Sequence, residues 1–287
     1  MQIVTDSGFD LSLAQQGNFN LNSLPLKITL SNVSYRSGVD IQPEDFYHLL
    51  ENTKDMPVTS TPSPGEFLEI YQRIAPKDPD ILSIHISSGL SGTFNAARTA
   101  AEQMKDANIT LVDTRTLSAE MGWQIEAAIK AIKAGLNKNQ ILKFMTQVQN
   151  WSEIVFTLPD LSYLIHGGRI SHLKGLLASL LGIKPLIRVD KSEGKYEDVD
   201  KVRTFKKAIE AIPLFIAKKF AEGTPLRVQI GHAGNPEGAG QLRDAMERLF
   251  PCEWLPDCSI SPVLGAHTGR GLVGLVFAPI ENTPVMP

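Results

Sequence analysis

The chain alternates short apolar runs with amphipathic stretches, and this pattern predicts strands separated by helices. In the first half the apolar runs lie at residues 3–4, 81–86 and 109–112. Apolar residues also recur at spacings of three and four over residues 67–74, which places them on one face of a helix. Because strands that alternate with helices usually pair in parallel, the first half predicts a mostly parallel sheet flanked by helices.

Residue types at the expected helix ends support this organisation. An Ala-rich helix is predicted over residues 94–104 and another over residues 119–134. Gly135 is placed to end the second of these helices, because glycine adopts the left-handed conformation found there. Asn137 is a typical N-cap for a further helix that runs to about Val148.

The pattern changes near residue 150, where we place a boundary between residues 148 and 158. Two segments, at 185–189 and 195–199, flank a Ser-Glu-Gly turn and predict a β-hairpin. Residues 204–221 have a helical pattern, which Pro213 must kink or divide. The other predicted elements are a strand at 153–158, a short helix or turn at 160–165, a strand at 226–230, a helix at 236–250 with Asn235 as N-cap, and a strand at 272–277. The predicted domains are therefore an α/β domain over residues 1–152 and a mixed α+β domain over residues 153–287.

The composition is that of an ordinary globular chain and excludes several functional classes. The 287 residues carry 28 Lys and Arg against 31 Asp and Glu, so the net charge of −3 argues against a dedicated nucleic-acid binder. No apolar run approaches the length of a bilayer-spanning helix, and the N-terminus lacks the pattern of a secretory signal. We therefore expect a cytoplasmic protein in which Cys252 and Cys258 stay reduced.

Small hydroxyl residues and glycines follow several predicted strands and precede helices. The clearest such loop covers residues 87–93, and another covers residues 58–64. Helix N-termini carry unpaired N–H groups and a partial positive charge, so loops of this kind favour a bound anion, to which Thr59 and Ser91 add hydroxyl donors. The alternative is that these residues only cap helices, which is their commonest use.

The motifs of nucleotide-binding enzymes and metalloenzymes are missing from the sequence. There is no G-x-x-x-x-G-K-[ST] loop, no strand leads into G-x-G-x-x-G, and the histidines lack metal-ligand spacing, so we expect no cofactor and no metal. Ser91 lies in a Gly-Leu-Ser-Gly-Thr sequence that resembles a nucleophile elbow, but Thr93 replaces the last glycine. Two alternatives stay open: a serine hydrolase or acyltransferase using Ser91 and His267, and a sensor of a small anion.

Three segments of the second half carry further candidate chemistry. His267 stands between small residues before the last strand, and it is either structural or a hydrogen-bond donor to a carboxylate or phosphate. Residues 173–187 are rich in Leu and Ile, which suits either a core helix or the wall of an apolar pocket. Residues 166–174 are basic and glycine-rich, and there Arg169 is either solvated or a contact for an acidic or phosphorylated partner.

Several short motifs follow one another along nearly the whole chain. They are Val-Thr-Asp-Ser at 4–7, Thr-Ser-Thr-Pro-Ser at 59–63, Ser-Gly-Leu-Ser-Gly-Thr at 88–93, Val-Asp-Thr at 112–114, Leu-Ile-His-Gly-Gly-Arg-Ile at 164–170, Lys-Pro at 184–185 and Gly-Ala-His-Thr-Gly at 265–269. In this order the chain resembles the DegV family of fatty-acid-binding proteins, which includes the binding subunits of bacterial fatty-acid kinase. Two positions depart from the family's usual pattern, since Thr61 replaces a Gln and Ala266 replaces a Gly.

The resemblance implies a two-domain α/β protein that holds one long-chain fatty acid between its domains. It implies that Thr59 and Ser91 bind the carboxylate and that His267 lies close to it. The expected ligand-binding residues are Thr59, Ser60, Ser91, Gly92, His267 and Thr268. The resemblance also implies that Arg169 docks a separate ATP-using kinase, related to dihydroxyacetone kinases, which phosphorylates the presented carboxylate. The chain itself is then expected to be a carrier without catalytic residues, nucleic-acid partner or stable membrane insertion.

The physics of an acyl chain agrees with that expectation. Burial of a CH₂ group contributes about 0.8 kcal/mol, so a tail of about 15 carbons contributes ~12 kcal/mol before the cost of association. Tail burial would therefore dominate affinity, while the polar loops set orientation. We expect loss of the Thr59 or Ser91 hydroxyl to weaken presentation of the carboxylate more than binding.

Overall fold

The computed structural model describes residues 1–173 and 182–286, which form an α/β fold built on three sheets. The strands are β1 (Gln2–Asp6), β2 (Leu21–Leu24), β3 (Lys27–Leu30), β4 (Val33–Arg36), β5 (Val58–Ser60), β6 (Asp80–His85), β7 (Asn108–Asp113), β8 (Glu153–Thr157), β9 (Lys184–Asp190), β10 (Lys195–Val202), β11 (Leu226–His232), β12 (Cys252–Trp254), β13 (Cys258–Ser259) and β14 (Val273–Pro279). The helices are α1 (Leu13–Gln16), α2 (Pro43–Glu51), α3 (Pro64–Ile74), α4 (Thr93–Ala101), α5 (Ser118–Lys133), α6 (Lys138–Trp151), α7 (Ser162–His166), α8 (Phe205–Ala217), α9 (Pro236–Glu247) and α10 (Pro262–Thr268).

The first sheet is parallel throughout, with strand order β2-β1-β6-β7. This arrangement confirms the mostly parallel sheet expected for the first half. The predicted capping residues Gly135 and Asn137 are confirmed as well. Gly135 has φ +75° just after α5, and the Asn137 side chain accepts a hydrogen bond from the backbone of Gln140 at the start of α6.

The second sheet is mixed and runs in the order β10-β9-β8-β14-β11-β12, with β13 also paired to β11. In β14, Val273, Leu275 and Phe277 pack with α8 and α9 in one hydrophobic cluster. Val276 points to the opposite face and belongs to the cluster shared with the first half. Because side chains alternate along a strand, this sheet forms part of two separate cores.

The third sheet, β4-β3-β5, is antiparallel, and neither it nor α2 or α10 was predicted from the sequence. Its strands have three or four residues, and most residues of β4 and β5 are exposed. Such strands carry little apolar alternation. Residues 58–60 were predicted as loop for this reason, although they form the strand β5.

Three predicted helices end earlier than expected. Helix α4 stops at Ala101 rather than Met104, α8 stops at Ala217 rather than residue 221, and α9 stops at Glu247 rather than residue 250. Helix α8 passes through the buried Pro213 as a single element, so the predicted division does not occur.

The strands of the parallel sheet lie within residues 1–152, and those of the mixed sheet begin at Glu153. One hydrophobic cluster nevertheless joins side chains of both halves, so the domain division at residue 152 stays a prediction. Among the residues that the structure describes, no helix has the length and apolar character needed to span a bilayer.

Candidate functional site

A narrow cavity brings together polar side chains from distant parts of the chain, and Thr61, just after β5, is one of them. Thr59 comes from β5, Ser91 from the loop before α4, Arg169 from a 3-10 turn after α7, and His267 from the end of α10. Apolar side chains complete the lining, among them Leu26, Ile86, Leu90, Leu117, Val263 and Leu264. We refer to this space, with Thr59, Ser91, Arg169 and His267, as the polar cavity.

Thr59 and His267 are joined directly, with 2.8 Å between Thr59 Oγ1 and His267 Nε2. Burial, and then the charges of Arg169 and His166, lower the pKa of His267 to about 4. The imidazole is therefore neutral at pH 7 and has one N–H donor. A Cβ on Gly167 would lie 2.1 Å from His267 Nδ1, so glycine at this position is what makes room for the ring.

The surroundings of the imidazole decide which nitrogen carries the proton. His267 Nδ1 is buried and has no hydrogen-bond partner among the described residues. A proton there would be a buried donor without an acceptor, so we assign it to Nε2, which then donates to Thr59 Oγ1. The hydroxyl hydrogen of Thr59 is then free to be donated to another acceptor.

Ser91 lies on a loop that is fixed on both sides. Its Oγ is 2.9 Å from Thr93 Oγ1 and accepts a hydrogen bond from the Thr93 backbone at the start of α4. Upstream, Ser87 Oγ donates to the carbonyl of Gly194 at 2.6 Å, which ties the loop to the β9–β10 hairpin. A Cβ on Gly89 would lie 2.5 Å from the carbonyl oxygen of Glu193, so this packing needs glycine.

Of the two helix starts expected to attract an anion, one is already occupied. The start of α3 is closed by a capping box, in which the carboxylate of Glu66 accepts from Ser63. Thr59 is separated from that helix by residues 60–63. The start of α4 has no such acid, and its partial positive charge lies beside Ser91.

Arg169 is the one charged side chain that lines the polar cavity in the described part of the chain. Its Nε donates to the carbonyl of Leu90 at 3.2 Å, and its Nη1 donates to that of Gly167 at 2.6 Å. These bonds fix the guanidinium between the Ser91 loop and the glycine that packs against His267. Arg169 therefore supplies a fixed positive charge where it was expected only to contact a partner.

The other three expected ligand contacts do not line the polar cavity. Ser60 is exposed and alternates with Thr59 along β5, and Gly92 is exposed at the start of α4. Thr268 is buried, and its hydroxyl donates to the carbonyl of Leu264 at 3.2 Å. The assignment of all six residues as ligand contacts stays a prediction.

A second, more apolar space lies beside the polar cavity, and we call it the apolar cavity. The two share Leu117, Tyr196 and Leu264 in their linings. The apolar cavity is further lined by Ile154, Phe156, Ile260, Leu272 and Val276. Both are narrow, with volumes of about 50 Å³ for the polar and 30 Å³ for the apolar cavity, which is room for a few water molecules at most.

Tyr196 was not predicted as a site residue from the sequence, and it lines both cavities. Its ring packs edge-on against Phe156 with 5.6 Å between centroids, and burial raises the pKa of its hydroxyl. Its place in the alternating hairpin strand β10 was the available signal.

The pocket wall expected at residues 173–187 is tested only in part. Its four leucines between residues 176 and 181 lie outside the described residues, while Ile183 packs at the edge of the core.

A Ser–His–Asp hydrogen-bond network lies elsewhere in the fold, and no sequence motif predicted it. His85 contacts Asp6 Oδ2 through Nδ1 at 3.0 Å and Ser83 Oγ through Nε2 at 2.7 Å. All three side chains are 0% exposed, and Ser83 is also bonded to Tyr71. Because no substrate reaches a fully buried serine, this network is structural and fixes the ends of β1 and β6.

The geometry of the polar cavity does not favour the hydrolase alternative. Ser91 is bonded to Thr93 rather than to His267, and within the described ranges no acid orients His267 Nδ1. A serine nucleophile needs both contacts. The described residues also contain no cluster of three or more His, Cys, Asp or Glu side chains suited to a metal ion.

Comparisons with known proteins agree on one family. A family model described as an uncharacterised protein of the DegV family matches residues 1–280. A DegV domain-containing protein from Staphylococcus aureus (strain MRSA252) is 36% identical over 274 residues, covering 96% of this chain and 97% of the relative.

Solved structures extend this likeness to the whole fold. A fatty-acid-binding DegV family protein from Thermus thermophilus has a TM-score of 0.85 at 29% identity, over 97% of this chain and 99% of that one. The fatty acid kinase B3 protein of Streptococcus pneumoniae, solved with linoleic acid, has a TM-score of 0.81 at 22% identity, over 97% and 99% of the two chains. At that lower identity the likeness concerns the fold alone.

Proposed function

Because this chain belongs to the DegV family, we propose that it binds one long-chain fatty acid, with the carboxylate in the polar cavity and the acyl chain in the apolar cavity. The observation that carries this proposal is that the two spaces are adjacent, since Leu117, Tyr196 and Leu264 line both. A ligand that fills both must be polar at one end and apolar along the rest. The fatty-acid-binding relative from Thermus thermophilus supports the same class of ligand.

The polar cavity suits a carboxylate better than a neutral group. Arg169 supplies a positive charge, and the start of α4 adds a partial one. Thr59 has a hydroxyl hydrogen to donate, because His267 supplies the proton between them. Charge-assisted bonds of this kind are stronger than neutral ones and fix the direction of the acceptor.

The acyl chain supplies most of the binding free energy in this proposal. The narrow apolar cavity must widen to admit a long chain, so its side chains move apart on binding. Each buried CH₂ returns about 0.8 kcal/mol against that cost. The ligand class is therefore selected by the apolar cavity and oriented by the polar one.

We further propose that the protein presents the carboxylate to a separate ATP-using kinase in the cytoplasm and does not itself catalyse the transfer. Thr59, Ser91, Arg169 and His267 are all only half-buried, which suits a head group that a partner must reach. The absence of nucleotide-binding motifs from the sequence agrees with a carrier. Arg169 keeps its expected role in docking, beside its proposed contact with the carboxylate.

Native mass spectrometry of the purified protein tests binding. We expect one co-purified fatty acid per chain, and uptake of added fatty acid by delipidated protein. A protein that neither carries nor takes up fatty acid contradicts the proposal. Presentation is tested by acyl phosphate formation with a bacterial fatty-acid kinase. Thr59→Val should lower the rate more than the affinity, while Thr99→Val, at an exposed threonine of α4 that lines neither cavity, should change neither.

A further inference from the structure

The apolar cavity crosses the mixed sheet from one strand to another. Tyr196 on β10 lines its beginning, next to the polar cavity, and Gln229 on β11 lines its opposite side. Strands β9, β8 and β14 lie between these two strands. Four spacings between neighbouring strands amount to about 19 Å, which is the scale of an extended long acyl chain.

Gln229 is fully buried, and its side-chain amide is held on both sides. Its Oε1 accepts from Trp123 Nε1 at 2.7 Å and from Gln15 Nε2 at 3.4 Å. Its Nε2 donates to Gln15 Oε1 at 3.2 Å and to the carbonyl of Pro256 at 3.0 Å. The amide therefore offers no free group to a ligand, and moving it would leave several buried polar groups unpaired.

A different environment lies behind this side chain. Trp123 lines another cavity, of about 240 Å³, together with Glu126, Lys130 and Arg227. The Arg227 guanidinium carbon lies 5.4 Å from the centre of the Trp123 ring. Gln229 and Trp123 thus separate the apolar cavity from a charged one.

We propose that Gln229 sets the maximum length of the acyl chain that this protein binds. The inference rests on the proposed function and adds a maximum length for the bound acyl chain. Affinity rises with each added methylene until the methyl end reaches Gln229. A longer chain must then displace a side chain whose partners at Trp123, Gln15 and Pro256 would be left unpaired, so its affinity falls.

The test is the affinity of delipidated protein for a series of saturated fatty acids of increasing length. For the wild type we expect an increase of about fourfold per methylene, followed by a break beyond one length. Gln229→Ala should move that break to longer acids. Gln241→Ala, an exposed glutamine on α9, is the matched control and should leave the break in place.

A thermal melt shows whether Gln229→Ala folds. If it does not, a second variant keeps the test decisive. Trp123→Phe keeps a ring but removes the donor to Gln229, and it should move the break in the same direction by less. A wild-type series without a break, or a break that neither variant moves, overturns the inference and leaves the proposed function intact. Failure of the wild type to bind any acid overturns the proposed function, and the inference falls with it.

Discussion

The two cavities are built in different ways. In the polar cavity, Thr59, Ser91, Arg169 and His267 come from four separate segments, and all four of these side chains are half-buried. The apolar cavity is lined mainly by one face of the mixed sheet, and residues such as Phe156 and Val276 are buried core positions. The difference separates two tasks, since a large apolar area supplies free energy and a few fixed donors supply direction. Substitutions in the apolar cavity should therefore lower stability and affinity, and those in the polar cavity should disturb the orientation of the ligand.

The largest effect is expected in the apolar cavity. Phe156→Ala should lower the free energy of unfolding by about 3–5 kcal/mol, because it removes a ring that is 4% exposed and packs against Tyr196. Chemical denaturation measures this loss, and fatty acid affinity should fall with it. Leu214→Ala, at a side chain 56% exposed, is the control and should change stability by less than about 0.5 kcal/mol. If Phe156→Ala lowered the free energy of unfolding by no more than Leu214→Ala does, the result would contradict the division of tasks.

The next effect concerns the pH dependence of stability, to which His267 of the polar cavity and Asp10, beside the apolar cavity, should contribute with opposite sign. The pKa of His267 falls from 6.5 to about 4 in the folded state, so the unfolded chain binds more protons between these values and stability rises with pH. Burial raises the pKa of Asp10, which is bonded to Ser118 of the apolar cavity, from 3.8 to about 6. The folded chain then binds more protons, and stability falls with rising pH over that range.

Variants separate the contributions of these two groups to the free energy of unfolding. Each contribution changes by about 3 kcal/mol across the pH range between the two pKa values of the group. Relative to wild type, His267→Gln should lose the contribution that rises between pH 4 and 6.5, and Asp10→Asn should lose the contribution that falls between pH 3.8 and 6. Chemical denaturation of the three proteins at several pH values measures both. If the free energy of unfolding changed with pH in the same way for wild type and His267→Gln, the imidazole would not be held neutral by burial.

A smaller effect is expected from Gly167→Ala in the polar cavity. The added methyl group meets His267 Nδ1, so the ring must shift and its bond to Thr59 is lost. We expect stability to fall by about 1–3 kcal/mol and acyl phosphate formation to fall more than fatty acid affinity. Gly240→Ala has open space around the new Cβ and serves as the control. Equal losses of affinity and acyl phosphate formation would argue against an orienting role for His267.

The smallest effect is expected from single hydroxyl groups. Ser91→Ala should weaken fatty acid binding by about 0.5–1.5 kcal/mol, the net contribution of one hydrogen bond. Ser34→Ala should have no effect, because Ser34 is exposed on β4 and lines neither cavity. Isothermal titration with one fatty acid compares the two variants, and similar losses would remove the distinction between these serines.

The sequence predicted those parts of the fold that depend on local periodicity. The parallel sheet, the β9–β10 hairpin and the capping residues Gly135 and Asn137 all follow from patterns within about 15 residues. The short strands β3, β4 and β5 carry too little apolar alternation to be read in this way. Helix α10 was missed because it spans only Pro262–Thr268 and lies among glycines.

The candidate site was predictable as a set of motifs but not as a geometry. Thr59, Ser91 and His267 were singled out from their loops and from the family resemblance, and they line one cavity. The place of Arg169 in that cavity depends on long-range packing of the Ser91 loop, which no local pattern encodes. Gln229 reads as one polar residue in a strand, and its role appears only when its partners Trp123 and Gln15 are brought together.

The most direct test of the account is a crystal structure of the protein with a bound long-chain fatty acid. We predict that the carboxylate lies within hydrogen-bond distance of Thr59 and Ser91, and that the acyl chain passes Tyr196 and crosses the mixed sheet toward Gln229. A fatty acid bound elsewhere, or one whose carboxylate lies at the Gln229 end, would contradict the account.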